Sequence, residues 1–148
     1  MTGARRGKLL TALAILYLLA SVVDIEKAIS GPDSGTRLTG PTAVVLLGIR
    51  QTGVANTIAG LGIGSFLVIY AAAIWRMSKY AIHFAGIYAT YVTLNVMLYS
   101  LRNPFPHSST GMIFDVTYKL FAVAITWGTV VALKRRTPDL AWKRHPGR

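Results

Sequence analysis

The sequence contains no cysteine, and only 14% of its 148 residues are charged. Without thiols the chain has no disulfide, no iron–sulfur cluster, no cysteine zinc site and no thiol nucleophile. Acidic residues are also few, with five Asp and Glu against 16 Lys and Arg. What the chain has instead is apolar sequence, since 53% of its residues are hydrophobic and its mean hydropathy is +0.47.

Long apolar runs account for this composition. A soluble domain of this size has too much surface to cover for such a balance, whereas a bilayer core is crossed by about 20 apolar residues in a helix. Four runs of that kind cover residues 9–29, 52–75, 80–101 and 112–133. The sequence therefore predicts an all-α fold, an integral membrane four-helix bundle that forms a single domain.

The second run raises a boundary question, because apolar sequence begins at Pro41 and continues to Trp75. As one helix it would be about 52 Å long, which is too long for one span, and it is too short for two. With four spans, 11 of the 16 basic residues fall on one side of the membrane: Arg5, Arg6, Lys8, Arg76, Lys79, Lys134, Arg135, Arg136, Lys143, Arg144 and Arg148. The positive-inside rule makes that side cytoplasmic. We therefore predict cytoplasmic termini and a short apolar extracytoplasmic segment, residues 41–50, that is interfacial or re-entrant.

The net charge of +11 belongs mainly to clusters that flank the apolar runs, including the tail 134–148. This placement favours contact with anionic lipid head groups at the cytoplasmic face, and it argues against nucleic acid as a partner. We expect a multi-pass protein of a plasma membrane, the inner membrane of a prokaryote.

The third run carries polar and aromatic residues at steps of three or four, which places them on one helix face. The members of this polar-aromatic stripe are Tyr80, Phe84, Tyr88, Tyr91, Asn95, Tyr99 and Arg102. Hydroxyl and amide groups do not normally face lipid tails, so the stripe should face protein, a ligand or water. Two interpretations stay open: hydrogen-bonded helix packing, and a site for an amphiphile such as a quinone, isoprenoid or lipid.

Charged residues near the outer ends of the runs form a second candidate group. Its members are Asp24, Arg50, Arg102, Asp115 and Lys119. Asp115 precedes Lys119 by four residues, which is the favourable order for an ion pair on a helix. These groups predict ion pairs that fix helix ends, with a proton or ion relay as the alternative. Arg50 is expected to anchor the second span at the outer interface, paired with Asp24.

The second run contains small residues at Gly53, Gly60 and Gly64. The last two are four apart, the spacing that lets helix backbones approach closely in membranes. The packing partner is either another helix of this chain or another subunit, and a glycine-lined permeation path is the third alternative.

Recognisable catalytic chemistry is missing from the sequence. No nucleophile with a neighbouring base, no phosphate-binding glycine loop and no helical metal-ligand spacing occurs, so we predict no catalytic residue, no metal and no cofactor. An enzyme is therefore the less favoured hypothesis. The sequence favours a non-catalytic accessory or structural subunit of a larger membrane complex, packed against other membrane subunits. A small homo-oligomeric carrier or channel and a quinone- or lipid-binding membrane enzyme are the alternatives.

Overall fold

Four helices make up nearly all of the structure, a computed structural model that describes residues 7–30, 43–103 and 109–136. They are α1 (Lys8–Ser30), α2 (Gly53–Trp75), α3 (Ala81–Arg102) and α4 (Ser109–Arg136). Each contains a segment that is long and apolar enough to cross a membrane. The prediction of an all-α fold with four membrane-length helices is thus confirmed. Residues 41–42 of the predicted outer segment and 137–148 of the basic tail lie outside the described residues.

The turn between α2 and α3 is short and closes the end of α2. The backbone N–H of Ser78 donates to the carbonyl of Ala73 at 2.9 Å, and that of Met77 donates to Ile74 at 3.1 Å. Met77 has a φ of +50°, the left-handed conformation that usually follows a helix in this type of cap. The two helices therefore run antiparallel, with Arg76 and Lys79 at their common end.

Two glycines of α2 let it pack directly on α1. A Cβ at Gly60 would lie 2.7 Å from the Cβ of Ala28 and 2.9 Å from the carbonyl oxygen of Asp24. A Cβ at Gly64 would lie 2.5 Å from Cγ1 of Ile25. These distances are shorter than van der Waals contact, so only glycine fits at this helix crossing. The partner of the small-residue spacing is α1 of the same chain.

Aromatic side chains join the α1–α2 pair to α3. The cluster consists of Tyr17, Phe66, Tyr70, Phe84 and Tyr88. Tyr88 is central, with ring centroids 5.8 Å from Tyr17 and 6.0 Å from both Phe66 and Tyr70. The Tyr17 hydroxyl shares a 2.9 Å hydrogen bond with Thr129, which ties α1 to α4. Edge and tilted ring contacts of this kind each add about 0.5–1.5 kcal/mol beyond area burial.

Residues 45–50 form a small β-hairpin, which the sequence analysis did not predict. Strands β1 (Val45–Leu46) and β2 (Ile49–Arg50) pair antiparallel, with Val45 opposite Arg50. The two turn residues, Leu47 and Gly48, have φ of +49° and +76°, as the tightest hairpin turns require. A Cβ at Gly48 would also lie 2.6 Å from the backbone of Leu98, so the turn sits directly on α3. We call the end of the bundle that carries this segment the hairpin end.

The α1–α2 contact gives a test of the fold. Gly60→Ala should lower the free energy of unfolding by about 1–3 kcal/mol, because the added methyl group meets Ala28 and the Asp24 backbone. Thermal unfolding in a mild detergent, followed by circular dichroism, measures the change.

The control is Gly62→Ala on the same helix, where a Cβ meets nothing within 4 Å. That variant should unfold at or slightly above the temperature of the parent, since alanine is the better helix former. Equal destabilisation by the two substitutions would contradict the close α1–α2 packing.

Candidate functional site

The backbone of the hairpin is held by polar side chains of α3. Asn95 makes two of these bonds: its Oδ1 accepts from the Gly48 N–H at 2.8 Å, and its Nδ2 donates to the Val45 carbonyl at 3.1 Å. The Tyr91 hydroxyl donates to the same carbonyl at 3.2 Å. A single amide side chain thus supplies the donor and the acceptor that a neighbouring strand would otherwise provide.

A second amide, Asn56, connects the start of the hairpin to α1. Asn56 is completely buried; its Oδ1 accepts from the Val44 N–H at 2.8 Å, and its Nδ2 donates to the Lys27 carbonyl at 3.1 Å. The adjacent Thr57 hydroxyl donates to the Ala28 carbonyl at 3.0 Å. These bonds satisfy backbone groups at the end of α1 that the helix itself leaves without partners.

Two arginines connect the hairpin with the C-terminal end of α3. Arg102 donates to the Leu47 carbonyl at 3.2 Å, and Arg50 donates to the Tyr99 hydroxyl at 2.7 Å. The guanidinium carbon of Arg50 also lies 5.8 Å from the centroid of the Tyr99 ring. The expected pairing of Arg50 with Asp24 is not what the structure has, because the register of β2 directs Arg50 toward α3.

The polar-aromatic stripe divides into three parts. Tyr80 is exposed at the start of α3, where the Lys79 ammonium lies 5.0 Å from its ring. Phe84 and Tyr88 belong to the aromatic cluster inside the bundle. The remaining members bind the hairpin: Tyr91, Asn95, Tyr99 and Arg102. The stripe as a whole therefore faces this protein's own chain, with Tyr80 as the exception.

The charged residues of the outer group form short-range pairs. Asp24 lies 3.9 Å from Lys27, one turn along α1. Lys119 bonds to Asp115 one turn before it on α4, as its spacing predicts, and its ammonium lies 5.4 Å from the Tyr99 ring centroid. The charged residues of α1 and α4 lie around one space at the hairpin end.

That space is a partly open cavity of about 390 Å³ lined by residues of all four helices and the hairpin. Its polar lining comes from Asp24, Lys27, Arg50, Tyr88, Tyr91, Asn95, Tyr99, Asp115, Tyr118 and Lys119. Val44, Val45 and Ile63 are among the apolar residues of its wall. The volume is within the range of about 300–1,000 Å³ found for small-molecule sites.

An apolar groove of about 220 Å³ lies beside the cavity, between α2 and α3. It is lined by Gly62, Ile63, Phe66, Ile87, Tyr88 and Tyr91. Three of these residues, Ile63, Tyr88 and Tyr91, also line the polar cavity. Ile87 is 61% exposed at the rim, so the groove opens on the face of the bundle that lipid would cover.

The glycines of α2 have different surroundings. Gly60 and Gly64 are buried in the α1 contact, whereas Gly53 begins α2 with a φ of +54° and faces open space. Gly53 therefore makes a turn between hairpin and helix, and among the described residues it packs on no other helix. Asn56 was missed by the sequence analysis, although a lone amide in an apolar span is a usable signal.

The side chains just described give this site hydrogen-bonding and charged groups that can bind a ligand. Within residues 7–30, 43–103 and 109–136, no three His, Asp or Glu side chains come together to hold a metal ion. The comparisons of the chain with protein-family models, with curated proteins and with solved structures find no match. The geometry of the cavity and the groove is therefore the feature of the molecule that points to a function.

Removal of the Asn95 amide tests whether this side chain holds the hairpin on α3. Asn95→Leu keeps the approximate shape but removes one acceptor and one donor, so the hairpin should lose about 1–3 kcal/mol of stabilisation. Amide hydrogen exchange at Gly48 should become about 5- to 150-fold faster, because 1.4 kcal/mol corresponds to a factor of ten. Exchange followed by mass spectrometry in nanodiscs measures it.

Asn103→Leu is the matched control, since its Nδ2 donates only within α3, to the Tyr99 carbonyl at 3.0 Å. It should leave exchange at Gly48 unchanged. If Asn95→Leu also left the exchange unchanged, the hairpin would not depend on the amide.

Proposed function

We propose that this chain is a multi-pass membrane protein that binds an amphiphilic small molecule at the hairpin end of its bundle. The observation that carries the proposal is the junction of a polar cavity with an apolar groove at Ile63, Tyr88 and Tyr91. An amphiphile needs a polar place for its head and an adjoining apolar place for its chain. The two spaces provide both, side by side.

The route into the site also suits an amphiphile. The groove lies between α2 and α3, where exposed Ile87 and Gly62 border the membrane side of the bundle. The aromatic cluster, with buried Tyr17 and Tyr70, fills the interior deeper in the bundle. A hydrocarbon chain can therefore enter sideways from lipid, while the packed interior favours binding over passage through the bundle. This geometry favours the sequence's lipid- or quinone-binding alternative over its carrier or channel alternative.

The accessory-subunit hypothesis stays a prediction. Two features that suggested it are used within the chain: Gly60 and Gly64 pack on α1, and Tyr91 and Asn95 bind the hairpin. A binding protein of this kind can still work inside a larger complex. Co-purification of other membrane subunits in fixed stoichiometry would support that role.

The proposal includes an orientation in which the hairpin end is extracytoplasmic and both chain termini are cytoplasmic. Its support is the charge distribution, since Lys8, Arg76, Lys79 and the run 134–136 all lie at the opposite end of the bundle. A prokaryotic plasma membrane is the proposed location, and anionic head groups on its inner face are the proposed partners of the basic clusters.

Filling the groove tests the binding function. Gly62→Leu places a side chain into space that is empty within 4 Å of the Cβ, so it should occupy the groove without disturbing α1. Native mass spectrometry of protein extracted in a maltoside detergent should show one retained amphiphile per parent chain. The variant should retain at least about fivefold less, since its side chain competes for the same volume.

Gly128→Leu makes the same change on α4, at another open position away from the groove. It should retain the amphiphile at the parent level. Retention by Gly62→Leu, or no bound amphiphile on the parent, would contradict the proposed function.

Single introduced cysteines test the orientation. Their labelling is unambiguous because the chain has no cysteine of its own. Ile49→Cys on the exposed side of the hairpin should react in intact cells with a membrane-impermeant maleimide. Lys79→Cys, exposed in the turn between α2 and α3, should react only after permeabilisation. The reverse labelling pattern would overturn the orientation and leave the binding site as described.

A further inference from the structure

The charges around the cavity do not balance. Three cations line it, Lys27, Arg50 and Lys119, against two carboxylates, Asp24 and Asp115. Each carboxylate pairs with the lysine on its own helix, Asp24 with Lys27 at 3.9 Å and Asp115 with Lys119. Among the described residues Arg50 has no ion pair with a carboxylate.

Arg50 is an exposed residue that lines the cavity, so its guanidinium keeps hydrogen-bonding capacity for a ligand. Its guanidinium makes one side-chain hydrogen bond within the described part of the chain, to the Tyr99 hydroxyl at 2.7 Å. A guanidinium carries five N–H donors arranged to bind both oxygens of a carboxylate or phosphate. Lys119 lies 5.4 Å from the centroid of the same Tyr99 ring, but its charge is paired with Asp115, so among the described residues the unpaired positive charge on this side of the cavity is that of Arg50.

We infer that the polar group of the bound amphiphile is an anion, a phosphate or a carboxylate, held by Arg50 beside Tyr99. The hydrocarbon part then lies past Tyr88 and Tyr91 in the groove of Ile63, Phe66 and Ile87. This inference rests on the proposed function and specifies the chemical class of its ligand. It also gives Arg50 a role in recognition, in addition to its place in the hairpin.

Cationic and neutral head groups fit the same cavity less well than an anionic one. A cationic head would meet Arg50 while the two carboxylates are already paired. A neutral alcohol or quinone head accepts a hydrogen bond but leaves the charge of Arg50 unbalanced. Charge-assisted hydrogen bonds are roughly twice as strong as neutral ones, so an anionic head gains most from this site.

The test compares hexadecyl probes that share one chain and differ in the head. Hexadecyl phosphate, hexadecanoate, hexadecanol and hexadecylamine are titrated into delipidated protein in a maltoside detergent, and native mass spectrometry counts the bound probe. The two anions should bind at least about tenfold more tightly than the alcohol or the amine. Inorganic phosphate alone should not bind detectably, because it has no chain for the groove.

Arg50→Gln should weaken binding of the two anions by about tenfold and leave hexadecanol unchanged. Gly128→Leu is the control, because Gly128 lines neither the cavity nor the groove, and it should bind every probe like the parent. Hydrogen exchange at Gly48 in Arg50→Gln checks that the hairpin stays docked through Asn95.

The outcomes separate this inference from the proposed function. One outcome is that all four probes bind equally, that Arg50→Gln does not change their binding, and that Gly62→Leu blocks it. This outcome would overturn the inference of an anionic head group and would still support the amphiphile site. Binding of inorganic phosphate as tight as that of hexadecyl phosphate would overturn the role of the groove. Binding of no probe would overturn both the inference and the function.

Discussion

The architecture of the hairpin end depends on the need of backbone N–H and C=O groups for partners where water is scarce. A hairpin with two residues in each strand makes few bonds of its own, so the N–H of Val44 and Gly48 and the carbonyl of Val45 need partners from elsewhere. Asn56 and Asn95 supply them, each with both ends of its amide in use. An unpaired group of this kind would cost several kcal/mol in hydrocarbon, so the two amides determine where the hairpin can sit.

The docked hairpin in turn creates the cavity. Val44, Val45 and Arg50 form one wall, and the register that places Val45 opposite Arg50 aims the guanidinium at α3. The other walls come from the four helices, and the charged wall residues of α1 and α4 are paired within their own helices. The position of the Arg50 charge at the cavity is therefore a consequence of the docking of the hairpin backbone on Asn56 and Asn95.

Sequence reasoning could predict what depends on local spacing. Apolar runs predict the four helices, the step of four predicts the Asp115–Lys119 pair, and steps of three or four place Tyr88, Tyr91 and Asn95 on one face. It could not predict the hairpin, because its turn is Leu-Gly, without the Asn-Gly or Asp-Gly signal typical of such turns. Nor could it predict that Asn95 would bind backbone, since that depends on a segment 50 residues away.

The two faces of the glycine-rich helix α2 have different roles: one packs closely on α1, and the other borders the open groove. Gly60 and Gly64 share the face that meets α1, while Gly62 is about 200° further round the helix and meets nothing within 4 Å. Close approach on the first face draws α2 toward α1, and the missing side chain on the other leaves the groove beside α3. A larger residue at Gly60 would push α2 off α1, and one at Gly62 would fill the groove. Glycine therefore has opposite effects two positions apart on α2, since it permits close helix packing at Gly60 and leaves an open groove at Gly62.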